Sequence, residues 1–145
     1  MSEIRVLFLC TGNSARSVIA EALLGSLGGA GFEAHSAGAH PKAINPYTTK
    51  VLQQAGLDTK PFHSKGLDEY VDQGFDYVIT VCDNAAEECP VFPGGPARLH
   101  WSFSDPAAIE GDDAVKLAAF QATLRQMRQR LEVFIPVARR ASARG

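Results

Sequence analysis

A cysteine and an arginine near the start of the chain could together carry out nucleophilic chemistry on an oxyanion. Cys10 ends an apolar run, and Arg16 follows it after Thr11, Gly12, Asn13, Ser14 and Ala15. A tight loop between a strand and a helix directs backbone N–H groups at one point, and the helix dipole adds positive potential there. That potential favours a thiolate over a thiol, and a guanidinium offers paired donors to a tetrahedral anion. We therefore expect Cys10 to be a nucleophile and residues 11–16 to bind the oxyanion.

Neighbouring residues could assist the same chemistry. Ser17 could donate a hydrogen bond to the thiolate, and its hydroxyl could also cap the first turn of the helix. Asp105 could protonate a leaving oxygen, although an Asp before Pro106 is also a common turn former. Gly12 and Asn13 are residue types that tolerate the left-handed backbone of a tight loop.

The elements that must position these residues follow from the apolar patterns. Strands are predicted at residues 4–9, 32–37, 75–82 and 98–101, and helices at residues 15–28 and 46–55, with a short helix around 67–73. This alternation predicts a single-domain, three-layer α/β fold with a four-stranded parallel sheet flanked by helices. Ligands of such sheets lie beyond the carboxyl ends of the strands. We therefore expect Cys10, Cys82 and Asp105 to converge at one edge.

A further, long helix is predicted from residue 114 onward. Its apolar stripe is typical of a core-facing surface and consists of Leu117, Phe120, Leu124, Met127, Leu131 and Phe134. Pro136 should end or kink this helix, because proline removes an N–H donor and clashes with the preceding turn. We therefore place the domain at residues 1–138 and expect residues 139–145 to form a basic, frayed tail.

The composition is that of an ordinary single-domain protein and gives no sign of a nucleic-acid partner. The chain has 145 residues and a net charge of −2. No apolar run approaches the roughly 20 residues of a membrane span, and we expect no signal peptide before the first strand. Three cysteines are an odd number and do not suggest a disulfide framework. We expect a cytoplasmic monomer that binds neither nucleic acid nor membrane.

Of the two remaining cysteines, Cys82 precedes a polar segment, residues 83–97, and Cys89 lies within it. Six residues separate Cys82 from Cys89, so they do not form a Cys-x-x-Cys motif. A zinc site would need further ligands, and the histidines lack ligand spacing, so we expect no metal and no cofactor. The cysteines are either a buried strand-end residue and an unrelated loop residue, or a resolving pair of thiols. Pairing requires the segment to refold, because disulfide Cα atoms must approach within about 7 Å.

Residues 10–17, together with Asp105 and Pro106, resemble the signature of the low-molecular-weight tyrosine phosphatase superfamily. When Cys82, Cys89-Pro90 and His100-Trp101 are also considered, the chain resembles the thioredoxin-coupled arsenate reductases, which share that fold. The resemblance implies that Cys10 attacks arsenate and that Cys82 then attacks Cys10 and releases arsenite. It further implies that Cys89 attacks Cys82 and that thioredoxin reduces the resulting disulfide, a route to arsenical resistance. Phosphate and sulfate would be substrate analogues.

Two departures from these families are informative. Phosphatases of this fold carry Asp-Pro-Tyr, whereas Ala107 follows Pro106 here, which argues against a phosphotyrosine substrate. Some of the reductases bind potassium near the loop, and three of the ligands match Asn13, Glu21 and Ser36. Lys65 stands where an Asp ligand would be. We expect its ammonium to replace the ion and pair with Glu21; the alternative is a lysine that faces solvent.

Other functions remain open at this point. A phosphatase would form a phosphoenzyme on Cys10 and resolve it with water, and a reductase could show weak phosphatase activity. A non-enzymatic thiol redox sensor or oxyanion-binding module would have the loop without turnover. Glutaredoxin with glutathione, or mycothiol, serves related reductases, whereas an internal cysteine pair favours thioredoxin.

Overall fold

The computed structural model describes residues 3–83, 91–92 and 96–144. Four parallel strands form one sheet in the order β2-β1-β3-β4: β1 is Ile4–Cys10, β2 is Phe32–Gly38, β3 is Tyr77–Thr80 and β4 is Ala97–His100. The α-helices are α1 (Arg16–Gly28), α2 (Pro46–Gln54) and α3 (Asp113–Arg144), and short 3₁₀ helices cover Gly29–Gly31, Leu67–Glu69 and Pro106–Ala108. The predicted single-domain α/β fold with a four-stranded parallel sheet is confirmed.

Strand β1 lies in the centre because both of its faces are apolar. Val6 and Phe8 face one core cluster, and Leu7 and Leu9 face the other; all four are fully buried. Arg5, the polar residue of β1, lies at its outer end, where Nε contacts Glu33 Oε2 at 2.5 Å. That hydrogen bond lowers the pKa of Glu33.

The larger core lies between one face of the sheet and the α-helices. Helix α1 is buried on most of its surface, and the predicted stripe of α3 packs into the same core cluster. Trp101 joins the layers, because its ring lies 6.2 Å from that of Phe8 and 5.6 Å from that of Phe134. Burial of this apolar surface supplies most of the driving force for folding.

The second face of the sheet has a smaller, aromatic cover. Tyr70, Phe75 and Phe92 pack on Leu7 and Leu9, and the rings of Phe75 and Phe92 are 6.0 Å apart. Burial, with a smaller contribution from nearby carboxylates, raises the pKa of Tyr70 to about 12. Within the described residues, a 3₁₀ helix and its flanking turns cover this face instead of an α-helix.

Two predicted elements are shorter than expected. The strand predicted at residues 75–82 is confined to Tyr77–Thr80, although its hydrogen bonds continue on both sides: Asp76 N donates to Arg5 O and Val81 N donates to Leu9 O, both at 2.9 Å. The helix predicted around residues 67–73 is the 3₁₀ helix Leu67–Glu69. A helix this short is not stable alone, and the inward turn of Tyr70 to the sheet ends it.

The expectation that Pro136 ends the last helix is wrong, whereas a kink at Pro136 and fraying of residues 139–145 stay predictions. Helix α3 continues to Arg144. Proline in a helix interior costs about 3 kcal/mol, but the buried side chains of Ile135 and Ala138 hold the following turn. Arg139 also donates to Gly28 O at 2.8 Å. The division of the chain at residue 138 stays a prediction.

The close approach of β2 to the loop after β1 gives a test of this geometry. A Cβ on Gly38 would lie 2.8 Å from both Asn13 N and Thr11 O, which are backbone atoms. We predict that Gly38→Ala lowers the free energy of unfolding by about 1–3 kcal/mol, since the backbone must move to relieve the overlap. Urea unfolding measures this change.

Gly25 in α1 is the matched control, because a Cβ there meets nothing within 4 Å. Gly25→Ala should raise the free energy of unfolding by about 0.5–1 kcal/mol, the usual gain for alanine over glycine inside a helix. Equal stability of the two variants would contradict the proposed close approach.

Candidate active site

The thiol of Cys10 lies at the bottom of the loop between β1 and α1. Its side chain is 2% exposed, and it is a free cysteine. Its Sγ lies 2.8 Å from the Oγ of Ser17, which is fully buried. Helix α1 has no side-chain cap. The Ser17 hydroxyl therefore does not cap the helix, and its role is the contact with the sulfur.

Asn13 orients the hydroxyl that contacts this sulfur. Its Nδ2 donates to Ser17 Oγ at 2.8 Å and to Ser36 Oγ at 2.9 Å. Each hydroxyl therefore accepts from the amide and has its own proton left for another partner. Ser36 donates that proton to Glu21 Oε1 at 2.5 Å, which leaves the proton of Ser17 for Cys10. Asn13 has a φ of 48°, in the left-handed region expected of this residue type.

Lys65 closes the far end of this network. Its ammonium lies 3.6 Å from Glu21 Oε1 and donates to His63 O at 2.9 Å, and its backbone N–H donates to Asn13 Oδ1 at 2.8 Å. The residue is 8% exposed, so it is not a lysine that faces solvent. The ammonium lies beside Glu21, whose Oε1 also accepts from Ser36 Oγ. Whether Lys65 does the work of a potassium ion stays a prediction.

The backbone of the loop is held from one side by residues 40–45. The carbonyls of Thr11, Gly12 and Ser14 accept hydrogen bonds of 2.8, 2.9 and 3.0 Å from the backbone N–H groups of residues 40, 42 and 45. Thr48 Oγ1 also donates to Ser14 O at 2.8 Å. With these carbonyls bonded outward, the loop does not present them to an anion, whose binding they would oppose.

Arg16 and Asp105 approach each other at the wall of the site. Arg16 is 4% exposed, and its Nη1 donates to Phe103 O at 3.1 Å, which fixes the guanidinium. Its Nη2 lies 4.0 Å from Asp105 Oδ2. Asp105 Oδ1 accepts from Ala107 N at 3.0 Å, so the carboxyl caps a 3₁₀ helix and still has its second oxygen near the arginine.

An open cavity of about 620 Å³ joins these groups. It is lined by Cys10, Thr11, Gly12, Ser14, Ala15 and Arg16 from the loop, by Lys42, Ala43 and Asn45, by Asp83, and by Ser104, Asp105 and residues 107–109. The structure therefore brings Cys10, Arg16 and Asp105 to one cavity, at the carboxyl ends of the strands.

The other cysteines are only partly placed. Cys82 follows β3, is fully buried and is disulfide-bonded. Because Val81 N donates to Leu9 O at 2.9 Å, Cys82 lies at the same sheet edge as Cys10, just beyond the neighbouring strand β3. Cys89 lies outside the described residues.

Sequence reasoning missed the residues that support the loop. Residues 40–45 have no periodicity, and their contacts to the loop are backbone hydrogen bonds, which leave no signal in residue type. Lys42 holds the loop through its backbone, whereas Thr48 in α2 does so through its side chain, and a threonine in a helix gives no signal of such a contact. The Asn45-Pro46 cap of α2 was detectable, and Asn45 Oδ1 does accept from Tyr47 N at 2.9 Å.

Within residues 3–83, 91–92 and 96–144, no three His, Cys, Asp or Glu side chains are grouped as metal ligands. In that part of the chain, no helix combines the length and apolar character needed to cross a bilayer.

Comparison with known proteins gives a consistent set of relatives. Residues 5–141 match the family described as low molecular weight phosphotyrosine protein phosphatase. An arsenate reductase of Halalkalibacterium halodurans is 36% identical over 129 residues, which are 89% of this chain and 93% of that protein.

Solved structures agree with this match. The crystal structure of an arsenate reductase from Archaeoglobus fulgidus has a TM-score of 0.76 at 27% identity and covers 90% of this chain and 98% of its own. A thioredoxin-dependent arsenate reductase of Corynebacterium glutamicum has a TM-score of 0.67 at 31% identity and covers 94% of this chain, which spans 63% of that longer protein.

The role of Arg16 as an anion clamp can be tested without knowledge of the substrate. Phosphate should protect Cys10 from alkylation by iodoacetamide. Mass spectrometry of the Cys10 peptide measures the extent of alkylation. We predict that Arg16→Lys weakens this protection about 10-fold or more, since a hydrogen bond to a charged group contributes about 1.5–3 kcal/mol and lysine lacks the paired donors.

Arg125→Lys, on an exposed position of α3, is the control and should leave protection unchanged. Full protection of the Arg16→Lys protein would contradict a clamp formed by the guanidinium.

Proposed function

We propose, from the premise that this chain belongs to the low molecular weight phosphotyrosine protein phosphatase family, that it is an arsenate reductase. The observation that carries the proposal is the buried, free Cys10 in contact with Ser17, in a cavity shared with Arg16 and Asp105. The position of Cys82, just beyond the neighbouring strand β3, supplies a second sulfur at the same edge. The relatives named above, which are arsenate reductases, support the same activity.

The first step is attack of the Cys10 thiolate on the arsenic of bound arsenate. The loop amides of residues 11–16 and the guanidinium of Arg16 hold the oxyanion and stabilise the charge that develops on it. A sulfur–arsenic bond forms, and one arsenic–oxygen bond breaks. Asp105 gives its proton to the departing oxygen, which leaves as water. Ser17 stabilises the thiolate through its hydroxyl, which Asn13 holds in the required direction.

The second step transfers the electrons. In the reduced enzyme, in which thioredoxin has opened the disulfide of Cys82, the Cys82 thiolate attacks the sulfur of Cys10, a disulfide forms, and the electron pair of the sulfur–arsenic bond passes to arsenic. Arsenic is thereby reduced from the +5 to the +3 state and leaves as arsenite. Cys89 then attacks the Cys82 sulfur and frees Cys10, and a thioredoxin dithiol reduces the Cys82–Cys89 disulfide. Each turnover consumes two electrons from thioredoxin.

The phosphatase alternative shares the first step and differs in what resolves the adduct. Water would have to hydrolyse a phosphocysteine, whereas here Cys82 lies at the same sheet edge as Cys10. Ala107, Ala108 and Ile109 form the cavity wall, where an aryl phosphate would need an aromatic partner. We therefore propose phosphate ester hydrolysis as a weak side activity, and a pure redox sensor is the less supported reading.

We further propose that the enzyme acts in the cytoplasm, as a monomer, with residues 1–138 as its catalytic domain. A reducing compartment fits a mechanism that needs three thiols in sequence. Thioredoxin is the proposed reductant over glutaredoxin or mycothiol, because a protein dithiol can attack an exposed disulfide directly.

Serine variants of the three cysteines test the relay. In an assay with arsenate, thioredoxin, its reductase and NADPH, we predict that Cys10→Ser, Cys82→Ser and Cys89→Ser each lose multiple turnover. Without thioredoxin, Cys89→Ser should still release about one arsenite per chain, because the Cys10–Cys82 disulfide can form in it. The other two variants should release none.

Phosphate protection of Cys10 is the control for folding and should persist in Cys82→Ser and Cys89→Ser. Normal cycling of both variants would refute the relay. Efficient hydrolysis of p-nitrophenyl phosphate, together with no arsenite release by the wild type, would favour the phosphatase instead.

We also propose that the Lys65 ammonium takes the place of a potassium ion. The buried pair with Glu21 neutralises a carboxylate that would otherwise be unpaired within the network. Because the charge is covalently attached, the orientation of Asn13 and Ser17 does not depend on the salt present.

Ion exchange tests this proposal. Replacing potassium by sodium at constant ionic strength should leave the wild-type rate and melting temperature unchanged. Lys65→Asp should make both depend on potassium, since a carboxylate then joins Glu21, whereas Lys60→Asp, at an exposed position, should not. Strong potassium activation of the wild type would rule out the proposed replacement.

A further inference from the structure

Lys42 lines the same cavity as the nucleophile and Arg16, but at an exposed position. Its backbone N–H donates to Gly12 O at 2.9 Å, so the root of the side chain is fixed to the loop. Its Cδ and Cγ lie 3.6 and 3.7 Å from the point that a Cβ on Gly12 would occupy. The aliphatic stem therefore runs along the loop and carries its ammonium beside the anion site.

The ammonium of Lys42 is available to a ligand. Within the described residues, it makes no hydrogen bond or ion pair, whereas Arg16 already donates to Phe103 O and lies near Asp105. Among the described residues that line the cavity, the charged side chains are Arg16, Lys42, Asp83 and Asp105. Arg16 is buried and Lys42 is exposed, so the two cations occupy the inner and the outer part of the site.

The net charge of the chain and the charges that line the cavity explain why an outer cation would assist anion binding. The chain has a net charge of −2, and two carboxylates line the cavity, so an incoming dianion meets no favourable field from the protein as a whole. A local cation at the mouth raises the concentration of the anion there and contributes to its retention.

We infer that Lys42 is a second anion-binding residue, which captures the doubly charged oxyanion at the mouth before Arg16 and the loop amides hold it. The identity of that oxyanion as arsenate rests on the proposed function, whereas the capture itself does not. Since Lys42 is exposed, whereas Cys10 and Arg16 are buried, Lys42 acts on binding and leaves the chemical steps unchanged.

The test compares Lys42→Gln with Lys42→Arg, which keeps the charge, and with Lys50→Gln, which removes an exposed lysine of α2 outside the cavity lining. Two measurements are made at low and at high ionic strength. One is phosphate protection of Cys10 from iodoacetamide, which needs no turnover. The other is kcat and KM for arsenate with the thioredoxin system.

At low ionic strength, Lys42→Gln should weaken phosphate binding and raise KM by about two- to fivefold, the range of a single exposed ion pair, with kcat unchanged. The difference should shrink at about 1 M salt, where the screening length is about 3 Å. Lys42→Arg and Lys50→Gln should match the wild type. If Lys42→Gln binds phosphate as the wild type does, or if Lys42→Arg is as weak as Lys42→Gln, the inference is overturned.

The two proposals can fail separately. A chain without arsenate turnover whose phosphate binding still depends on Lys42 would refute the reductase and support the capture site. Normal arsenate turnover, with phosphate binding that does not change when Lys42 is replaced, would support the reductase and refute the capture site.

Discussion

The side-chain amide of Asn13 is the interaction on which the geometry of the site depends. Its nitrogen donates to two buried hydroxyls, and its oxygen accepts from the backbone of Lys65. Because an amide has distinct donor and acceptor ends, it sets the direction of every hydrogen bond that follows, including the one from Ser17 to Cys10. The residue can do this at a φ of 48° because asparagine tolerates the left-handed region.

The loop is thus held by two independent sets of contacts. The side-chain network from Lys65 through Glu21 and Ser36 lies beneath it, and backbone bonds from residues 40–45 lie beside it. A loop fixed in this way is arranged for an anion before the anion arrives. Little reorganisation then opposes binding, which is the main advantage of preorganised sites.

The sequence allowed the fold class and the positions of the central residues to be predicted for a simple reason. Strands buried on both faces, such as β1, give continuous apolar runs, and parallel strands must bring their carboxyl ends to one edge. Cys10, Arg16 and Asp105 were found by this route together with a family resemblance.

What could not be predicted depended on contacts between distant backbone atoms or on tertiary packing. The bonds from residues 40–45 to the loop involve no particular side chain. Pro136 does not end α3, because burial of Ile135 and Ala138 and the bond from Arg139 to Gly28 outweigh a local preference. The bounds of β3 could not be predicted either, because its hydrogen bonds to β1 continue beyond the residues that form the regular strand.

The unequal cover of the two sheet faces has a consequence for how the molecule responds to disturbance. The face that packs on α1 and α3 contains most of the buried apolar residues, whereas the opposite face relies on a small aromatic group around Phe75. Regions with few apolar contacts open at lower free energy than the rest of a domain. Phe92 belongs to the smaller group, which shares no residue with the cluster that contains Phe8 and α1. We therefore expect sub-global opening to begin at this aromatic face, while the core between the sheet and α1 stays closed.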